Sequence, residues 1–524
     1  MRLALQRDGD LPSLAWCARL SPGADVVRVR HGPGVETGVE TGAETEAQTE
    51  AQTEATPGNH WLVAGAWDGP YAEMDFAGAT LSCGTAVRAV EEGILFSSPA
   101  FHADRLHSIR CGGDLLVSNS LAYALEAAGA ELRRDYAYHP DDLTVAYLAG
   151  VRAVKKQLAL EGGGALELHD LANFLWTGSG GLQRRERNWP ATPEDFASYR
   201  AGLADHLGRL LENAADPARR LPFGSVVGVS RGYDSPASAV LAAERGCRDA
   251  LCLRADEPVG EEDDSGAAIA RRLGLNVTEA GRMDWRGLPG MPEVEFGTGG
   301  RRGGAVPLAV FEAQLSGRVF INGNPGDQAW SLDPEMIPDA VVGRFAAGPA
   351  GQSPMEFRLR CRMLDLALGS LYAFDAQPGF RLSRSAAMAP WRIGGDYDRP
   401  IPRRIVEEAG IERDAFGMRK GATGSVRLTA AGDLGERAEE DFRAWLEAEV
   451  DLDAVRHAHA RRYRFDKVRR QALRMLEACL RVVRPGLRFP SVADMRHAEP
   501  DPAAGFRLVW SVERLRARYE GRAP

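Results

Sequence analysis

The chain is predicted to be a two-part α/β protein. Residues 1–190 form an antiparallel, β-rich part, and residues 191–524 a part built on a doubly wound parallel sheet. Three observations predict this. Short apolar runs punctuated by glycine, proline and asparagine fill the first part, as in antiparallel sheets. From Thr192 helical and strand patterns alternate, which implies parallel strands joined by crossover helices. The stretch SVVGVSRGYDSPASAV (225–240) sets a polar, glycine-containing turn between a strand and a helix, at the sheet edge where such folds take ligands. At 524 residues the chain is too long for one ordinary core.

In chain order, the first apolar runs are Leu14–Ala18, Trp61–Trp67, Gly93–Phe96 and Leu115–Ser120, each read as a strand. Between the first two lies VETGVETGAETEAQTEAQTEAT (35–56), a degenerate Glu-Thr-Ala/Gln repeat with no hydrophobic face. Such a segment buries too little surface to offset its ordering entropy, so it is expected to be a disordered insertion without chemistry. NWPATPEDF marks the boundary near residue 190. Thr192 is the expected N-cap of a helix reaching about Asn213, with Pro193 at its first position. Next come a strand at 225–229, a helix from Pro236 to about 245, a strand at Ala250–Arg254 and a helix at Asp264–Leu273. A further strand at Arg318–Asn322 empties into a second glycine turn, GNPGDQAW. Residues 355–480 read as mostly helical.

The first turn suggests phosphate chemistry. A strand ending in a turn at a helix N-terminus presents unpaired backbone N–H groups to an anion. Ser230, Ser235 and the amides between them can cradle a pyrophosphate, and Asp234 can hold a magnesium ion. No lysine follows the glycine, so this is not the G-x-x-x-x-G-K-[ST] loop.

Bulk properties exclude several classes. A net charge of −9 argues against a dedicated nucleic-acid or membrane surface. The seven cysteines are widely and irregularly spaced, which fits neither a zinc knuckle nor a disulfide framework. There is no signal-peptide pattern and no long apolar run. The expectation is a reduced, soluble, cytoplasmic protein.

The order of these pieces resembles the synthetase domain of the asparagine synthetase superfamily, which includes β-lactam synthetases and lasso-peptide cyclases. SRGYDS (230–235) resembles that family's S-G-G-x-D-S pyrophosphate loop, and GNPGDQ (323–328) its later G-x-G-x-D-E-like turn. GGDYDRPIPRRIVEEAGIERDAFGMRKG (394–421) resembles its basic helix followed by an R-x-K-G-like loop. Residues 1–190 more weakly resemble the glutaminase-like domain that precedes it, through GILFSSPAFHADRLHSI and LLVSNSLAYALEAAG. The resemblance implies an Ntn-type αββα first domain and an ATP-pyrophosphatase (adenine nucleotide α-hydrolase-like) second domain. Active glutaminase members use an N-terminal cysteine exposed by removal of Met1. Residue 2 here is arginine and the first cysteine, Cys17, lies inside a strand, so glutamine hydrolysis is not expected.

The implied activity is an ATP-dependent, AMP-forming amide ligase acting on a small-molecule or peptide carboxylate. A precursor peptide and a second copy of the chain are the partners considered. By this resemblance Ser230, Arg231, Gly232, Tyr233, Asp234, Ser235, Gly323 and Gly326 bind ATP, and Asp234 and Asp327 share Mg2+. Lys420 stands near the acyl-adenylate, where its cation can stabilise developing charge. Glu356 lies where half of a tyrosine–glutamate base would be, while Asn324 replaces the tyrosine. Both aspartates also suit turns or helix caps, and Lys420 a solvated loop.

Several residues depart from the pattern. Arg231 stands where the family has glycine. It either carries a backbone penalty, if φ is positive there, or binds phosphate directly. Pro325 removes an N–H donor and Gln328 removes a carboxylate. Arg403 and Arg404 are adjacent and are expected to face different ways. His457 and His459 are likewise expected to diverge, and Glu261–Asp264 to favour a helix dipole. Cys247, Cys252, Trp330 and Trp391 read as packing residues.

Overall fold

The computed structural model describes the chain apart from residues 42–43, 48–58, 100–103, 141–156, 188, 256–263, 299–304, 333–354, 396, 419–425, 427, 429–431 and 482–500. Two seven-stranded sheets make up the N-terminal part. The first has the order β1 (Arg2–Arg7), β3 (Val26–His31), β2 (Trp16–Leu20), β10 (Asp114–Ser118), β9 (Leu106–Cys111), β12 (Ala165–His169), β11 (Gln157–Ala159). It is antiparallel except that β1 runs parallel to β3. The second has the order β14 (Gln183–Arg185), β13 (Asn173–Trp176), β8 (Gly93–Ser97), β7 (Ser82–Val90), β6 (Asn59–Trp67), β4 (Glu36–Thr41), β5 (Glu44–Ala47).

Leu3, Leu5, Val27 and Val29 of the first sheet share a core with Leu62, Ala64 and Val87 of the second. β3 alternates, burying Val27 and Val29 while exposing Arg28, as a strand with one wet face does. β2 lacks that alternation, because the helix Leu121–Ala128 covers its other side. The helix Phe196–Ala214 lies against β6, so helices flank the paired sheets.

The expectation of disorder over 35–56 is corrected for its first part. Residues 36–41 pair with β6 in the register Glu36↔Val63 to Glu40↔Asn59, and β5 pairs back on β4. Ladder hydrogen bonds and one buried acid compensate for the missing apolar face. Glu36 is 3% exposed and accepts a 2.5 Å hydrogen bond from Tyr71, with the buried Arg219 beside it. Residues 48–56 lie outside the described residues.

The third sheet is fully parallel, in the order β17 (Asn276–Gly281), β16 (Asp249–Arg254), β15 (Gly224–Gly228), β18 (Arg318–Asn322), β19 (Leu364–Ala367). From β15 the chain winds outward through β16 to β17, then returns to the other side of β15 for β18 and β19. The switch point therefore lies between the carboxyl ends of β15 and β18, where doubly wound sheets leave a crevice. The preceding helix begins later than expected. Asp195 caps it by accepting the Ser198 N–H at 2.9 Å, while Thr192 donates its hydroxyl to the Asp375 carbonyl. β17 and β19 were not anticipated. The first is half-exposed and lacks an apolar run, and the second carries Asp365 in its middle.

Buried polar contacts join the parts. Arg358 pairs with Asp104, both side chains at 0% exposure, and the Leu14 N–H donates to the Leu359 carbonyl at 2.8 Å. The final residues strap across both. Tyr519 stacks on Tyr123 with ring centres 4.7 Å apart, Arg522 pairs with Asp8 at 2.7 Å, and the Pro524 carbonyl accepts from Arg19.

Candidate functional site

β15 ends at Gly228, and the helix Asp234–Glu244 begins six residues later. The turn between them is held by its own hydroxyls. The Ser235 Oγ accepts from the Ser230 N–H at 3.0 Å and lies 2.8 Å from the Ser230 Oγ. The Ser230 Oγ in turn accepts from the Gly232 N–H at 3.3 Å. The Arg231 N–H donates to the Asp264 carbonyl. These amides serve the loop's own structure. The amides of Asp234 and Ser235 belong to the helix's first turn, where no intrahelical acceptor exists.

Tyr233 is a buried anchor at 0% exposure, so neither its ring nor its backbone is open to a ligand, contrary to its expected place among the ATP-binding residues. Its hydroxyl accepts from the buried Arg403 at 2.8 Å, and its ring packs on Tyr397 and Phe416 at 4.9 and 6.1 Å. Burial pushes the phenol's pKa up despite Arg403. Gly417, at φ +64°, passes so close to this ring that an added Cβ would lie 2.4 Å from it.

The second turn packs directly on the first. A Cβ at Gly323 would lie 2.5 Å from the Asp234 carbonyl carbon, and one at Gly326 only 2.7 Å from the Asp234 carboxyl carbon. Neither glycine has a positive φ, so close approach rather than backbone freedom requires them. Gly266 does the same from below, where a Cβ would lie 2.8 Å from the Ser230 nitrogen.

The third landmark closes the other side. The Gly417 N–H donates to the Arg231 carbonyl at 2.8 Å, and the Arg231 Nε to the Ala415 carbonyl at 3.3 Å. Arg231 has no positive φ, which removes the backbone penalty considered above. Arg399 reaches Asp234, its Nη1 lying 2.7 and 2.5 Å from the two carboxylate oxygens. Arg403 and Arg404 diverge as expected. Arg404 pairs with Glu408 and stacks over Phe196 and Trp391.

Magnesium needs several hard oxygen ligands. Asp234 is one candidate, but both its oxygens accept from Arg399. Asp327 lies in the short helix Gly326–Ala329, and its side chain is outside the described residues, as is Lys420. Among the described residues no three His, Cys, Asp or Glu side chains converge on a metal position. The described donors therefore do not fit a resident ion.

Glu356 stands apart from this cluster, at the junction of the two parts. It is 1% exposed and accepts from Ser120 at 2.6 Å and from Tyr519 at 2.8 Å. Burial raises its pKa. Its bonds are those of an interface carboxyl. Sequence reasoning missed Asp365, which accepts from Asn322 at 2.6 Å just before the second turn. Burial, then the nearby Asp104, pushes its pKa up to about 7. An acid inside an otherwise apolar tetrapeptide, LDLA, was the available signal. Arg399 was also missed. Its adjacency to Asp234 spans 165 residues and leaves no local trace.

Cys17 lies in β2 at 0% exposure, and burial pushes its thiol up to about 12, far from a nucleophilic thiolate. His459 bonds Tyr138 at 2.8 Å and is buried, while His457 is exposed on the same helix. Trp330 is a core residue that donates to the Tyr199 hydroxyl at 3.0 Å. No helix among the described residues is long and apolar enough to cross a membrane. No family model matches the chain, and no curated protein matches its sequence.

Proposed function

We propose that this chain is an ATP-dependent, AMP-forming amide ligase that adenylates a carboxylate and joins it to an amine without hydrolysing glutamine. One observation carries the reading. Three segments about 90 and 75 residues apart, each resembling a piece of the asparagine synthetase superfamily, converge around Asp234 at the switch point of a parallel sheet. Convergence of the three is more specific than any one turn. In this reading the first-turn amides of Asp234 and Ser235 receive the departing pyrophosphate. Arg231 and Arg399 supply planar cations suited to phosphate. Lys420 stabilises charge as the amine attacks the acyl-adenylate and AMP leaves. ATP is the co-substrate; a small-molecule or peptide carboxylate is the acceptor. The buried thiol of Cys17 supports the absence of glutaminase activity.

A second reading is a binding or scaffolding protein that keeps the fold without the chemistry. The ion pair between Asp234 and Arg399 favours it, since the acid is already neutralised. Pyrophosphate release with panels of carboxylates and amines separates the two. The ligase reading expects turnover that falls at least a hundredfold in Asp234→Ala and Lys420→Ala. Turnover that both variants leave unchanged overturns the site assignment.

A further inference from the structure

We propose that residues 461–480 of the helix Leu452–Arg481 are a docking surface for an anionic phospholipid bilayer, along which the helix lies without crossing it. The inference is independent of the nucleotide reading and starts from an unpartnered helix face. The first part of this helix is tied to the body, since His459 bonds Tyr138 at 2.8 Å and Arg456 pairs with Asp501 at 2.9 Å. Beyond it, every described side chain of residues 464–480 except Leu473 is exposed. A helix open to water all round is ordinarily polar all round. Here, instead, lie five of the seven large apolar side chains exposed among the described residues: Phe465 and Val468 at 68% exposure, Met475 at 65%, Leu476 and Leu480.

At about 100° per residue, these five positions fall within an arc of about 140°, so they form one stripe. Cations surround it. Residues 461–481 hold eight arginines and lysines against Asp466 and Glu477, in a chain of net charge −9. The overall charge thus conceals a strongly basic segment. Arg461, Arg462, Arg464, Lys467 and Arg469 are exposed, and none forms an ion pair with another described side chain. By the same helical spacing Arg464 and Lys467 fall outside the arc. Arg469 falls within it, where its long stem can run along apolar matter while its head reaches outward.

Stripe and cations together select the occupant. A second copy seated on this face would set two cationic segments against each other. Nucleic acid would meet the cations and leave the stripe wet. An anionic bilayer meets both, because acyl chains receive the apolar stripe and the headgroups receive the arginines and lysine. Headgroups also move laterally, so they follow cations scattered around and within the stripe, whereas a rigid acidic groove has to mirror each one. The helix is not apolar enough to cross a membrane, so it lies in the plane of the interface.

Flotation of the full chain with vesicles of phosphatidylcholine, with or without about one-third phosphatidylserine, tests this. Binding is expected to be about tenfold tighter to the anionic vesicles and to weaken as salt rises. Phe465→Ser with Leu476→Ser, and separately Arg464→Glu with Lys467→Glu, should each weaken it about tenfold. Neither pair should change the melting temperature, because all four side chains are exposed. If a variant aggregates, a polarity-sensitive label on the exposed Cys479 of the wild-type chain decides, since its emission should shift to the blue on anionic vesicles only. No binding to anionic vesicles, or binding that both pairs of substitutions leave unchanged, overturns the proposal. Binding to polyglutamate but to no vesicle assigns the face to an acidic protein. A dimer broken by Phe465→Ser with Leu476→Ser, again without vesicle binding, assigns it to a second copy. Either result overturns the proposal as well.

Discussion

In the N-terminal sheets, a polar cluster around Asn119 is buried and internally paired. Asn119 accepts from the Trp16 N–H and donates to the Leu14 carbonyl, each at 2.9 Å, and Thr85 accepts from the Trp16 indole at 3.0 Å. Cys17 sits among them with no exposed surface. At the carboxyl edge of the parallel sheet, Ser230, Arg231, Asp234 and Ser235 are instead partly exposed, although the walls behind them are as well packed. The same chain thus buries and pairs this polar cluster in one region and holds polar groups at a solvent border in the other. Buried polar groups must be paired, so their pairing is explained by stability alone. Polar groups held rigid at a border by glycine contacts, a tyrosine anchor and an arginine are what the proposed nucleotide site calls for.

Substitutions can break this contrast, beginning at the seam. Arg358→Met takes the ion-pair partner from the buried Asp104, leaving it the Gly84 N–H, and it is expected to lower unfolding free energy by about 3–5 kcal/mol in a denaturant titration. A result near zero would mean that the seam is hydrated rather than closed.

Asp365→Asn should act in the opposite direction, by up to about 4 kcal/mol. The folded pKa of Asp365 is raised to about 7 from 3.8, so the folded state holds the extra proton. The stability tied to that proton is full below about pH 4 and is lost as pH rises through 7. The variant should therefore match wild type below pH 4 and exceed it above pH 7, while its amide oxygen still accepts from Asn322. Melting temperatures across that range check this, and a pH-independent gap would sink it.

Gly326→Ala has the smallest expected effect on stability, about 1–3 kcal/mol, because the new methyl meets the Asp234 carboxyl carbon and the Trp330 ring. It should weaken ATP binding more than its melting temperature suggests, since it parts the two turns. Equal losses in Gly326→Ala and in a core variant such as Leu207→Ala would erase the distinction between border and core.

Much of the parallel sheet was legible because strand and helix periods alternate there. Arg318–Asn322 was read with its observed bounds, and the strand before the first turn was read one residue late. Two landmarks were legible as turns and the third as a basic helix with the loop after it. Their convergence was not, since pairing between Asp234 and Arg399 or between Arg231 and Gly417 depends on tertiary packing. Local composition misled at 36–41 and 44–47, where polar segments become strands by pairing with β6 and with β4 respectively. Glu356 was assigned through the resemblance, and its partners Ser120 and Tyr519, 236 and 163 residues away, left no local trace.

The strap of residues 507–524 sets an order of events during synthesis. Asp8, Arg19 and Tyr123 emerge from the ribosome early, yet they meet Arg522, Pro524 and Tyr519 only once residues 519–524 have been translated. Closing so long a loop brings no contact energy until it is complete. The N-terminal sheets must therefore persist with one surface unfinished while the parallel sheet is made. A nascent chain halted at residue 506 should expose Tyr123 to solvent and to proteases, and synthesis of residues 507–524 should bury it.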